Sequence, residues 1–184
     1  DTESVRTLQK AIDLGINIID TALAYGDGHS EQLIGTVLKK QKERVYIATK
    51  IPPKNRLWPA RKEFSVMDAF PKDYIIECTE KSLKNLGVDY LDVQQFHVWI
   101  DEWLHQGDWQ EAIQRLKEQG KIRFFGVSIN DHAPDSALEL GKSGLADTFQ
   151  VIYNIFDQSP EEKLFPLCQE KRIGVIVRVP FDEG

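Results

Sequence analysis

Four residues whose types do proton chemistry are spread over the first hundred positions of the chain: Asp20, Tyr25, Lys50 and His97. Asp20 closes an apolar run of Ile16, Ile18 and Ile19 opened by Gly15, where a buried strand would meet a loop. Tyr25 follows on the same loop, just ahead of a polar turn through Gly26, Asp27, Gly28 and His29. An acid and a phenol so placed are either a structural hydrogen-bonding pair or half of a proton-transfer site. Lys50 and His97 each end a further apolar run. Tyrosine, with an ordinary pKa of about 10, is too weak an acid to act efficiently at neutral pH. A nearby ammonium lowers that pKa by favouring the phenolate. Lys50 can supply the charge, Asp20 can hold Lys50 protonated, and His97 can orient a substrate carbonyl. The chemistry is then protonation of a developing alkoxide. Taken singly, each residue has a plainer role: a loop cap for Asp20, a solvated amine for Lys50, a rim histidine for His97.

The elements that must position these groups alternate regularly. Residues 2–14 carry Val5, Leu8, Ala11 and Ile12 at helical spacing, with Gly15 as the stop. Ser30 reads as the N-cap of a helix carrying Leu33, Ile34, Val37 and Leu38. A strand from Val45 reaches Lys50. A segment with four prolines, Pro52 to Pro71, is long enough to be a functional loop over a site. A helix over 72–86 stops at Gly87, and strand 90–96 ends at His97. Further strands are expected from Ile122 to Val127, ending at Ser128, from Thr148 to Ile152, and from Gly174 to Val179. Helices are expected near 109–119 and 135–141. Ser159, Pro160 and Glu162 look like an N-cap with a capping box, and Pro166 interrupts that helix into a turn and a restart.

Six strands alternating with helices mean a parallel sheet with crossover helices. Both a doubly wound open sheet and a barrel satisfy this. The absence of a G-x-G-x-x-G after any strand counts against the dinucleotide form of the first. The expected fold is α/β, a (β/α)8 barrel with about six of its eight strands present. Residues 1–184 are expected to form one barrel domain, incomplete at both ends. In a parallel barrel all strand C-terminal ends share one face. There Asp20, Lys50, His97, Ser128 with Asn130, Gln150 and Arg178 would meet. Trp58, Trp99, Trp103 and Phe181 lie in loops at the same mouth; they either build an apolar substrate wall or, in part, close the core under the loops.

The composition narrows the classes. An apolar fraction of 41%, a charged fraction of 28% and a net charge of -6 without a basic block suit a soluble domain and disfavour nucleic acid as a partner. No run approaches a membrane span and no signal-like segment is present. Cys78 and Cys168 stand alone inside helical patterns, as reduced core residues that favour a cytoplasmic setting. The four histidines show no metal-ligand spacing, so no metal is expected, and no G-x-S-x-G elbow points to a hydrolase.

The pattern resembles the aldo-keto reductases. The residues that carry the likeness are Asp20, Thr21, Ala22, Tyr25 and Gly26; Ser30, Glu31, Ile34 and Gly35; Thr49 and Lys50; Asp89, Tyr90, Leu91 and Asp92 leading to His97; Gly126, Val127 and Ser128; and Gln150. The resemblance implies reduction of an aldehyde or ketone by NADPH, with NADH not excluded, and a small-molecule carbonyl substrate. It makes Tyr25 the general acid, tuned by Lys50 and Asp20, and sets His97 on the carbonyl. It lays Asp20, Ser128, Asn130 and Gln150 along the nicotinamide ribose and carboxamide, with Arg178 where an aromatic commonly stacks on that ring. Ile129 intervenes where many members carry asparagine directly after the serine. A barrel that binds or regulates with little turnover is the alternative from another class.

Overall fold

A computed structural model describes residues 1–182. Six strands form one sheet in chain order, every neighbouring pair parallel: β1 Ile18–Asp20, β2 Tyr46–Ile51, β3 Leu91–Phe96, β4 Ile122–Ser128, β5 Thr148–Ile152 and β6 Gly174–Arg178. These are six of the eight strands of a (β/α)8 barrel. Parallel neighbours require crossovers. These carry α2 His29–Leu38, α3 Val66–Ala69, α4 Lys72–Leu86, α5 Trp109–Glu118, α6 Leu138–Ser143 and α7 Leu164–Lys171, while α1 Thr2–Asp13 precedes β1. None of these helices is long and apolar enough to cross a membrane.

The strand register sorts the side chains into two sets. Asp20 lies beside Ala48, Lys50 beside Gln95, Gln95 beside Gly126, Ser128 beside Gln150, and Ile152 beside Arg178. Strand alternation therefore puts Asp20, Lys50, Gln95, Ser128, Gln150 and Arg178 on one face. The opposite set, Ile47, Ile51, Phe96, Phe125, Val127 and Phe149, packs with Ile34, Ile75, Leu86, Ala112 and Leu116 of the helices into a single core. The polar set is thus separated from the apolar set by the period of the strand alone.

Several expectations need correction. The apolar run at Ile16 to Asp20 reads as a buried strand, but a barrel incomplete at both ends leaves it short of a neighbour, and Ile18 is 49% exposed. β1 is one edge of the described sheet and has a strand neighbour on one side only. Ser30 does not cap α2. Gly28 occupies the N-cap in a left-handed conformation (φ 92°), and Ser30 Oγ pairs instead with Thr21 Oγ1 at 2.9 Å. Ser159 opens a short 3-10 turn rather than a capping box, because its hydroxyl donates to Asp157 Oδ1 at 2.6 Å. The helix after it begins at Leu164, which leaves Pro166 in the first turn, where its missing N–H costs nothing.

The tryptophans divide sharply. Trp99, expected in the substrate wall, is instead 0% exposed and belongs to the core, stacked near Phe96 and edge-on to Trp109 at 5.3 Å. Trp103 is buried with it, its indole N–H donating to Phe64 O at 2.8 Å. These rings need partners for both their apolar bodies and their single N–H, and the core beneath the long loops supplies both. Trp58 alone of the four stays at the surface, 46% exposed, and Phe181 is fully out in solvent.

Candidate active site

The loop after β1 is built as a continuation of the ladder. Thr21 N–H donates to Ala48 O at 2.9 Å and Leu23 N–H to Lys50 O at 3.1 Å. Tyr25 N–H then donates to Ala22 O at 3.0 Å and closes a turn, while Tyr25 O accepts from Ser30 N–H in the first turn of α2. Tyr25 is thereby fixed between a strand and a helix and remains half-exposed.

Lys50 is 1% exposed and directs its ammonium inward. Nζ donates to Asp20 Oδ2 at 2.6 Å and to Thr21 O at 2.8 Å. Gln95 takes the other carboxylate oxygen, its Nε2 donating to Asp20 Oδ1 at 3.3 Å. Gln95 is fully buried, and its Oε1 has no hydrogen-bond partner among the described residues. Residue type alone does not single it out. The signal was present, because Gln95 lies two residues before His97 and so shares its face of the sheet. Tyr25 stands with its ring centroid 5.5 Å from Lys50 Nζ and 5.8 Å from the His97 ring, edge to face. Trp58 meets His97 from another side, at 5.7 Å.

These rings border a cleft of about 500 Å³, lined among others by Tyr25, Trp58, His97, Ser128, Gln150 and Arg178. A second cleft of about 490 Å³ lies on the other side of Trp58, with Arg56, Cys78 and Lys81, and includes none of the four proton-chemistry residues. Chemistry belongs with the first.

The charges depart from what the sequence suggests. Tyr25 was expected to have its pKa lowered by Lys50. It is instead raised, first by burial and then by Asp20, with Arg178 opposing. The ammonium of Lys50 is already spent on Asp20, so it does not act on the phenol as a free charge. Lys50 itself is lowered by burial, partly offset by Asp20. His97 is pushed down to about 4 by burial, then by Lys50 and Arg178, so it is neutral at pH 7. Its Nδ1 is buried without a partner among the described residues.

The residues expected to hold a cofactor are gathered but not equivalent. Ser128 and Gln150 lie side by side in register, both nearly buried. Arg178 is pinned rather than free to stack. Its Nη2 donates to Ile129 O at 3.0 Å and to Asp131 Oδ1, a partner not singled out from the sequence, while Nε has no partner among the described residues. Asn130 spends its amide on the backbone of Ala60, accepting from its N–H at 3.2 Å and donating to its O at 3.0 Å. A hydroxyl, an amide and an orphaned guanidinium nitrogen beside the phenol suit the amide and hydroxyl groups at the nicotinamide end of a dinucleotide.

The comparisons agree with this geometry. The family model described as "Aldo/keto reductase family" matches residues 1–184. The methylglyoxal reductase YeaE of Escherichia coli (strain K12) is 32% identical over 181 residues, covering 98% of this chain and 58% of that protein. The holo form of the aldo-keto reductase AKR11C1 from Bacillus halodurans superposes with a TM-score of 0.81 at 32% identity, covering 100% of this chain and 59% of that one. An aldo/keto reductase from Klebsiella pneumoniae, solved with NADP and acetate, gives a TM-score of 0.76 at 28% identity, with 99% and 59% covered. The chain spans between half and three-fifths of the length of the curated relatives it matches. With the whole chain matched by the family model and the tetrad gathered at strand ends, the chain belongs to the aldo/keto reductase family.

Proposed function

We propose that this cleft reduces an aldehyde or ketone to the alcohol, with NADPH as hydride donor, NADH as the alternative, and Tyr25 as general acid. The observation that carries the proposal is that Tyr25 and His97 line one cleft while the ion pair of Lys50 and Asp20 lies behind Tyr25, the four residues arriving from the ends of three different strands. Two names among the relatives support it: a methylglyoxal reductase and a protein solved with NADP.

When bound, the nicotinamide supplies a hydride to the carbonyl carbon; Ser128, Gln150 and Arg178 are the residues that would hold that end. Everything else falls to the chain. Tyr25, raised above its ordinary pKa, stays protonated through the neutral range and has a proton to give. The carbonyl oxygen becomes an alkoxide as hydride arrives, a far stronger base than a phenolate, so the proton moves downhill. His97, neutral, offers an N–H to the same oxygen without placing a second charge in the cleft. Lys50 and Asp20 neutralise one another and hold the β1–β2 side of the site in place. Trp58 and Val98 supply the apolar wall against which a substrate side chain packs.

Tyr25→Phe in the full-length protein is the test. The variant is expected to lose about 100-fold or more in kcat for aldehyde reduction, the usual scale for a lost general acid, and to bind NADPH within a few-fold of the parent. Reduction rates close to the parent's would overturn the assignment.

A further inference from the structure

The wall that Trp58 forms stands in the middle of a loop tied near its two ends, by Lys54 N–H donating to Ala69 O at 2.8 Å and by Trp103 Nε1 donating to Phe64 O at 2.8 Å. The stretch between β2 and α3 closes local turns on itself: Arg56 N–H donates to Pro53 O at 2.9 Å, Leu57 N–H to Asn55 Oδ1 at 3.1 Å, and Phe64 N–H to Arg61 O at 3.1 Å. Between Leu57 and Phe64, one side chain ties it by hydrogen bonds to the other side of the cleft. Asn130 accepts from the N–H of Ala60 and donates to its carbonyl, satisfying both backbone groups of a buried residue as a strand neighbour would. The two residues lie 70 positions apart. Ala60 follows Trp58 by two, and Asn130 follows Ser128 by two on the loop after β4. The clamp therefore joins the apolar wall to the Ser128 side of the cleft.

The chemistry of the clamp needs an amide. One planar group must present a donor and an acceptor at the spacing of a peptide unit. Aspartate has no donor, serine is too short to reach both groups, and glutamine carries the amide one methylene too far. Trp58 is held otherwise by its edge contact with His97 and is nearly half-exposed, so it has little packing of its own to fix its angle.

We infer that Asn130 is a positioning residue for the substrate: by clamping Ala60 it holds Trp58 against His97 and so sets the affinity for carbonyl compounds with an aromatic or bulky apolar side chain. This rests on the proposed carbonyl reduction. It assigns the Asn130 amide to the substrate wall in place of the nicotinamide carboxamide. Small carbonyls, which reach His97 and Tyr25 without leaning on Trp58, depend on the clamp far less.

The test uses Asn130→Ala and Asn130→Asp in the full-length protein, with two independent readouts. Amide hydrogen exchange needs no turnover. Exchange at Ala60 is expected to quicken at least about tenfold in Asn130→Ala relative to the core amides of β3 and β4, since Asn130 Oδ1 is the acceptor for that N–H, and to quicken less in Asn130→Asp, whose carboxylate still accepts but cannot donate to Ala60 O. Kinetics then separate the role from mere stability. KM for benzaldehyde should rise about tenfold, with kcat/KM for methylglyoxal changing about twofold. Trp58→Ala should reproduce that selectivity change, and the double variant Trp58→Ala, Asn130→Ala should add nothing further, because both act through one contact. Unchanged Ala60 exchange, equal losses for both substrates, or additive losses in the double variant would each overturn the inference. So would a main effect on NADPH affinity, which would return Asn130 to the cofactor. If the parent protein reduces no carbonyl at all, the proposed function fails on that result, while Ala60 exchange still decides whether the clamp exists.

Discussion

Gly35→Ala sets two effects of opposite sign against each other. Gly35 lies inside α2, where alanine is favoured over glycine by about 1 kcal/mol on intrinsic grounds. A Cβ there, however, would stand 2.7 Å from both Asn85 O and Leu86 O, and 2.9 Å from the Leu86 carbonyl carbon. Those are backbone atoms at the end of α4, and they cannot rotate away. The end is fixed by Gly87 in a left-handed conformation (φ 66°), whose N–H and that of Val88 both donate to Leu83 O. So α2 must shift. One turn earlier on the same face, Glu31 is fully buried and accepts from Thr49 Oγ1 at 2.7 Å and Asn85 Nδ2 at 2.8 Å. A shift large enough to admit the methyl loosens one or both bonds. Overpacking costs about 1–3 kcal/mol, and a buried partner left short costs about 1–3 kcal/mol more. Set against the propensity gain, the net is a destabilisation of roughly 1–5 kcal/mol. Urea unfolding should show a lower midpoint at an unchanged slope. Turnover should fall as well, because the first turn of α2 holds the carbonyl of Tyr25. A gain of about 1 kcal/mol, as on an open helix face, would refute the close approach.

Asp20→Asn is expected to slow carbonyl reduction and move the basic limb of the kcat/KM profile to lower pH. The limb follows loss of the Tyr25 proton, and Asp20 is one of the groups that raise that pKa; a limb that moves up contradicts the electrostatics described. His97 makes a statement about stability. Its pKa is about 4 in the fold against about 6.5 unfolded, so the unfolded chain binds more protons between those values. The contribution is complete above about pH 6.5 and is lost as pH falls towards 4, at most about 3 kcal/mol. Chemical denaturation from pH 7 to 4.5 should show that slope in the parent and a shallower one in His97→Asn; equal slopes would count against a neutral buried imidazole.

The legible part of the site was legible for a topological reason. Parallel strands deliver their C-terminal ends to one face, so a polar residue at the end of each apolar run could be assigned to a common mouth without knowing any distance. What stayed hidden depends on contacts between distant segments. Trp58 and Trp99 both sit in loops after strands, and their sequence surroundings do not separate a wall from a core ring; burial does. Nothing within a few residues of Asn130 points to Ala60. Gln95 reads as one of two adjacent glutamines in a strand, and only the pairing with Lys50 and Asp20 shows which of them faces the site. The exposure of Ile18 follows from the edge position of β1, which the count of six strands in an eight-stranded barrel implies and the apolar run itself does not.

The protonation states illustrate the same limit most sharply. A free ammonium 5.5 Å from the Tyr25 ring would favour the phenolate by about 3 kcal/mol at an effective dielectric of 20, on the order of two pKa units. The phenol moves the other way. Burial is the first reason and a 2.6 Å contact the second: Lys50 is paired with Asp20, and the Asp20 carboxylate itself raises the phenol. Arg178 is likewise engaged by Asp131, yet still lowers Tyr25, Lys50 and His97 together. Burial, with Asp20 second, thus keeps the proton on Tyr25, and burial, with Lys50 and then Arg178, keeps one off His97. Residue types suggest a phenol made more acidic; the distances describe a phenol kept loaded beside a neutral hydrogen-bond donor, which is the state in which a carbonyl oxygen can be met without an added charge.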